Sequence, residues 1–154
     1  MDKYFNIVRN GSTVSDPSAY VLDTGEKLST KIMTGAELAS AKLDAGEPVD
    51  AAAQVVVVSF APVKQGQSVR LRISETYSAA QSYGMKDKDD ALVFDRSLGR
   101  ARNAVVLPEG WYLTASSIPA TVKQTADGRI RLDFWNGQPA AIDVLIKAKR
   151  RQSK

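Results

Sequence analysis

Histidine and cysteine are both absent from the 154 residues. Zinc sites draw mainly on these two residue types, so the common zinc-centred functions are set aside. The Ser-His-Asp and Cys-His nucleophile systems lose their imidazole base. Disulfide frameworks and thiol redox centres lose their sulfur. Aromatic residues are sparse at 7%, with two tryptophans, so every exposed ring is worth locating. No apolar run approaches the roughly 18 residues that a membrane span requires. The longest, Val55-Val56-Val57-Val58, has the length of a strand. Phosphate-cradling glycine loops of the GxGxxG and GxxxxGK[ST] kinds do not occur. Asp87, Asp89 and Asp90 lack the spacing of a calcium loop. No metal and no cofactor is therefore expected. The remaining options are carboxylate, lysine or tyrosine chemistry, or a role without chemistry.

The balance of charged residues is basic, with 21 Lys and Arg against 17 Asp and Glu. The excess is concentrated at one end. Residues 147–154 hold Lys147, Lys149, Arg150, Arg151 and Lys154 and no acid. Taking these five away leaves 16 basic against 17 acidic side chains, a nearly neutral body. Nucleic acid is thus not the expected partner. The length suits a single domain with its own core, spanning 1–148, followed by a basic, disordered tail over 149–154.

The dominant pattern is period two. Val69, Leu71 and Ile73 alternate with Arg70 and Arg72, as in a half-buried strand. Val55–Phe60 lies upstream across Gln65-Gly66-Gln67, so the two read as a hairpin or a strand–corner–strand. Ile130, Leu132 and Phe134 alternate with Arg129, Arg131 and Asp133 behind Asp127-Gly128, a tight hairpin fed by 120–124. Asn136-Gly137 marks the next reversal, and Ile142, Val144, Ile146 and Ala148 form the last strand. Further strands are expected near 4–8, 20–22, 91–94, 104–107 and 111–114, with an exposed loop over 78–90. Thr34-Gly35-Ala36-Glu37 has capping-box spacing and predicts a short helix over 36–43, stopped by Gly46 and Pro48. The expected fold is all-β: an antiparallel β-sandwich, immunoglobulin-like or similar, of about seven to nine strands with one short helix.

Four residues stand out as candidates for binding. Arg96, Arg100 and Arg102 cluster around Gly99, in a segment where guanidinium groups suit carboxylate or phosphate. Trp135 follows core-phased Phe134 and so belongs on the outer face, where an exposed ring favours recognition. Salt bridges from the arginines to Asp95 or Glu109, and packing of Trp135 beneath a loop, are the structural alternatives. Trp111 and Tyr112 are adjacent, so one faces the core and the other solvent. Arg70, Arg72, Arg129 and Arg131 form a basic stripe if their strands are neighbours, and otherwise pair with acids such as Glu75 and Asp133. Carboxylate pairs such as Glu75 with Asp95, or Asp95 with Glu109, suit glycoside hydrolysis only at a set separation.

Three segments carry a resemblance: LRISETY at 71–77, DRSLGRARNAVVLPEGWYLTASSIPATV at 95–122 and DGRIRLDFWN at 127–136. They are similar to a region of uncharacterised, exported bacterial proteins. Their rhythm also resembles the sandwich domains beside peptidase or transglutaminase-like modules in secreted bacterial proteins. The resemblance implies a C-terminal piece of a longer, extracytoplasmic (periplasmic or secreted) precursor, and carries no catalytic residue. Composition alone leaves a cytoplasmic protein open. The expectation is a non-catalytic structural or interaction domain, its partners being other domains of its own chain or another protein. A carbohydrate-binding module that takes a glycan is the alternative, followed by a carboxylate-based hydrolase or a polyanion binder.

Overall fold

The computed structural model describes residues 1–86 and 90–151. Its elements fall into two compact units, Met1–Ala79 and Ala80–Lys154, each with its own buried residues. By its length and composition the sequence reads as one domain over 1–148. All strand pairings are antiparallel among the described residues.

In the first unit, β1 (Lys3–Ile7), β2 (Thr13–Val21), β3 (Lys27–Thr34), β4 (Gln54–Ser59) and β5 (Leu71–Ser78) form one sheet in the order β1-β4-β3-β2-β5. The four valines explain the place of β4. Val56 and Val58 enter one apolar cluster with Val8, Val14, Ala19 and Leu28, while Val55 and Val57 enter another with Leu38. A strand covered on both faces reads as a continuous apolar run rather than an alternation. It pairs on both sides, with β1 and β3, so of the two readings of 55–60 with 69–73 the hairpin does not form. β5 pairs with β2 instead.

The edge strands β1 and β5 close towards each other. The Asn6 amide nitrogen donates to Glu75 Oε2 at 2.9 Å and Oε1 at 3.2 Å, and to Tyr77 Oη at 2.6 Å. Tyr77 in turn donates to Glu75 Oε2 at 2.6 Å. Side chains at opposite ends of the strand order meet only if the sheet curls round on itself. The curl is helped by a bulge between Ser15 and Ser18, where Asp16 takes φ 50° and Pro17 needs no ladder donor. Asn6→Ala removes a donor from a half-buried carboxylate and should cost about 1–3 kcal/mol. A urea midpoint unchanged by Asn6→Ala would show that the closure does not rest on this cluster.

Helix α1 (Gly35–Ser40) begins as its sequence dictates. Thr34 Oγ1 accepts from the Glu37 amide at 3.2 Å, and Glu37 Oε2 accepts from the Thr34 amide at 2.6 Å. It ends sooner than Gly46 and Pro48 imply. Lys42 adopts φ 55°, its amide donates to Ala39 O, and the Leu43 amide donates to Leu38 O at 3.0 Å. This is the Schellman arrangement, sealed by Leu38 and Leu43 in one apolar cluster against Val55 and Val57.

The second unit contains β6 (Tyr83–Lys86), β7 (Ala91–Leu98), β8 (Arg102–Val106), β9 (Trp111–Ser116), β10 (Thr121–Gln124), β11 (Ile130–Trp135) and β12 (Ile142–Arg150). Two sheets, β6-β7-β12-β9 and β10-β11-β8, contribute to one core. Leu92, Leu107, Leu132, Phe134, Val144, Ile146 and Ala148 are its buried members. The twelve strands described in the two units exceed the expected seven to nine.

Strand order also departs from the constant-type immunoglobulin pattern of ABED opposite CFG. Lettered in turn, the second unit reads A-B-G-D opposite E-F-C, with the last strand holding the central place given to E in that pattern. β12 earns that place by carrying Val144, Ile146 and Ala148 into the core along nine residues.

Several boundaries differ from expectation, the C-terminal one because of the length of the β7–β12 ladder. It runs from Leu98↔Ile142 to Ala91↔Lys149. Lys149 and Arg150 thus belong to a strand rather than to a disordered tail, while residues 152–154 lie outside the described residues. The segment 78–90 includes β6, which pairs with β7, and residues 87–89 lie outside the described residues. The Asp127-Gly128 hairpin uses one positive-φ residue, Gly128 at 84°, rather than two. The Gly128 amide donates to Thr125 O and the Thr125 amide to Arg129 O, so a longer turn closes the loop. Asn136 is buried; it donates to Ala140 O at 2.8 Å and accepts from the Gln138 amide at 2.9 Å, fixing the next reversal.

Candidate functional site

The outward side chains of β8, β10 and β11 form the most feature-rich surface. Trp135 is 68% exposed, as its phase after Phe134 implies. The ladder places it opposite Arg102, whose guanidinium carbon lies 5.3 Å from the ring centroid. That is cation–π distance, with the cation held over the ring face. A groove of about 450 Å³ runs from this pair along the sheet and is lined further by Thr121, Lys123, Arg131 and Asp133. Its cations come from three strands, because the ladder sets Lys123 opposite Arg131 and Thr121 opposite Asp133.

Asp133 is the carboxylate of the surface. Arg131 Nε donates to its Oδ1 at 2.8 Å, and the Lys123 ammonium lies 2.6 Å from its Oδ2. Oδ2 receives no well-directed hydrogen bond, so the ammonium charge is what compensates it. The Arg131 guanidinium first, and then Lys123, hold the Asp133 pKa below the usual 3.8. At the hairpin, the Thr125 hydroxyl and then the Arg129 guanidinium lower Asp127 to about 2. Depressed carboxylate pKa values add stability that is complete above the unfolded value and lost as pH falls through the folded value. The melting temperature should therefore fall between about pH 4 and pH 2, and fall less in the Asp127→Asn/Asp133→Asn double variant. Equal acid sensitivity of the two proteins would contradict this account.

The three arginines of the candidate cluster are dispersed. Arg96 lies in β7, on the same side of the strand as core-packed Phe94 and Leu98 and opposite Val144. Arg100 occupies the bend between β7 and β8, where its carbonyl accepts from Asn103 Nδ2 at 2.6 Å. Only Arg102 stands beside Trp135. The segment around Gly99 is free of strand only over 99–101, because both flanking strands extend into it.

Trp111 is half-buried against the core and Tyr112 is exposed, as adjacency requires. Arg70 pairs with Asp23 in the first unit, while Arg129 pairs with Asp127 and Arg131 with Asp133 in the second. The four arginines thus flank or occupy strands of different sheets and do not form one stripe. Glu75 is engaged by Asn6 and Tyr77 in the first unit, whereas Asp95 is an exposed residue of β7 in the second. Among the described residues no three His, Cys, Asp or Glu side chains gather as metal ligands, and no helix is long and apolar enough to cross a membrane.

Lys123 and Asp133 are absent from the candidate binding set, although the phase of β11 puts Arg131, Asp133 and Trp135 on one face. A two-residue Asp127-Gly128 turn would set Lys123 opposite Leu132; the longer turn closed between Thr125 and Arg129 sets it opposite Arg131 instead. Comparison with protein-family models, curated proteins and solved structures finds no match.

Proposed function

We propose that the chain is a non-catalytic recognition module of an exported bacterial protein. Its second unit acts as a β-sandwich that presents the β8–β10–β11 face to a ligand. The observation that carries this reading is the exposed Trp135 ring with Arg102 held 5.3 Å from its centroid, at the end of a cation-lined groove. A large exposed ring with an adjacent planar cation offers both apolar area and directed charge, the combination found at binding hot spots. Export rests on the resemblance of 71–77, 95–122 and 127–136 to exported bacterial proteins.

The test is a glycan and polyanion screen of the intact chain, with Trp135→Ala and Arg102→Ala in parallel. Trp135→Ala should weaken binding at least about tenfold while circular dichroism and melting stay unchanged. Full binding by folded Trp135→Ala would remove this face from the account.

A further inference from the structure

Resting on that reading, we infer that the ligand is an anionic saccharide, with one sugar ring against Trp135 and its acidic group met by Arg102 and Lys123. The number of rings points away from a neutral ligand. A neutral polysaccharide held by stacking needs a row of exposed aromatics, and this face offers one. The other exposed aromatic residues of the second unit, Tyr83 and Tyr112, belong to the four-stranded sheet. One ring gives one stacking position, so the rest of the affinity is polar.

The charge of the groove points to an acidic ligand. Arg102, Lys123 and Arg131 share the groove with a single carboxylate, Asp133. Arg131 directs its Nε and a second guanidinium nitrogen at Asp133 Oδ1, at 2.8 Å and 2.7 Å. Arg102 has no carboxylate within ion-pair distance among the described residues, and its guanidinium is fixed only over the ring. A planar cation without an acid, preoriented beside an apolar platform, matches a ligand with an apolar ring face and an attached carboxylate or sulfate. Lys123 lies on the neighbouring edge of the groove, and its ammonium has three donors, so it meets the ligand while staying beside Asp133 Oδ2. Single-stranded nucleic acid fits less well, since it uses successive stacking rings along a basic track.

The decisive experiment titrates the intact chain with polygalacturonate, with fully methyl-esterified polygalacturonate and with a single-stranded DNA oligonucleotide. Affinity for the acid should exceed that for the ester by about tenfold or more and fall with added salt. Arg102→Ala should bring the acid down to the level of the ester, and Trp135→Ala should weaken both. Equal binding of acid and ester overturns the anionic assignment and leaves the recognition face standing. Tighter binding of DNA, lost in the same variants, overturns the saccharide in favour of a nucleic acid. Failure of all three probes with folded protein overturns the saccharide assignment, and the broader screen with Trp135→Ala then decides the recognition reading separately.

Discussion

Leu132→Ala should lower the stability of the Ala80–Lys154 unit by about 2–5 kcal/mol. Leu132 is fully buried and is the central core residue of β11. Its strand is paired on both sides, with β10 and β8, so the backbone around it has little freedom to collapse into the space left behind. The lost transfer energy and the residual cavity therefore add. The same strand carries Asp133 and Trp135 on its outer face, so loosening β11 also blurs the groove. Thermal melts and binding of Leu132→Ala should fall together. Val106→Ala, on the exposed side of β8, should change stability by less than about 0.5 kcal/mol. A Leu132→Ala protein as stable as the parent would mean that the core is assigned to the wrong residues.

Gly35→Ala is the second large effect. Gly35 is buried at the first position of α1, and a Cβ placed there would lie 2.1 Å from the carbonyl oxygen of Asp50. The obstacle is main chain, so no side-chain rotation relieves it. The same stretch is held by the Gly35 amide donating to Ala53 O and the Ala36 amide to Ala51 O, both at 3.0 Å. Moving the 50–53 segment away breaks bonds that fix the start of the helix and the entry to β4. The expected cost is about 1–3 kcal/mol, towards the upper end. Gly46→Ala makes a useful contrast: its added methyl meets nothing within 4 Å, and its penalty comes from φ 82° alone. A Gly35→Ala variant with an unchanged urea midpoint would show that the 50–53 segment moves freely.

The strand content was legible because alternation survives at the surface. Leu71–Tyr77, Ile130–Phe134 and Ile142–Ala148 show their phase plainly and adopt it. Strand neighbours were not legible. The valines at 55–58 announce a strand, and their double-sided burial shows only once Leu38 and the β1 and β3 partners are in place. β3 escaped notice because Lys27–Thr34 mixes Leu28, Ile32 and Met33 with polar residues on both faces, and only Leu28 is buried. The helix start was readable from Thr34 and Glu37, whereas its end depends on a non-glycine residue, Lys42, at positive φ. At the candidate site, exposure of Trp135 followed from phase. The partnership of Trp135 with Arg102 did not, because it depends on β8 pairing with β11 rather than with its chain neighbour β9. That same pairing separates Arg102 from Arg96, which sequence proximity had joined.

The most direct test of the recognition face is a ¹⁵N–¹H correlation spectrum of the intact chain, titrated with a short oligogalacturonate. The account predicts shifts confined to Arg102, Lys123, Arg131, Asp133 and the Trp135 indole N–H, with residues of the curled first-unit sheet unmoved. Saturating shifts clustered elsewhere, with the Trp135 indole signal unchanged, would contradict it.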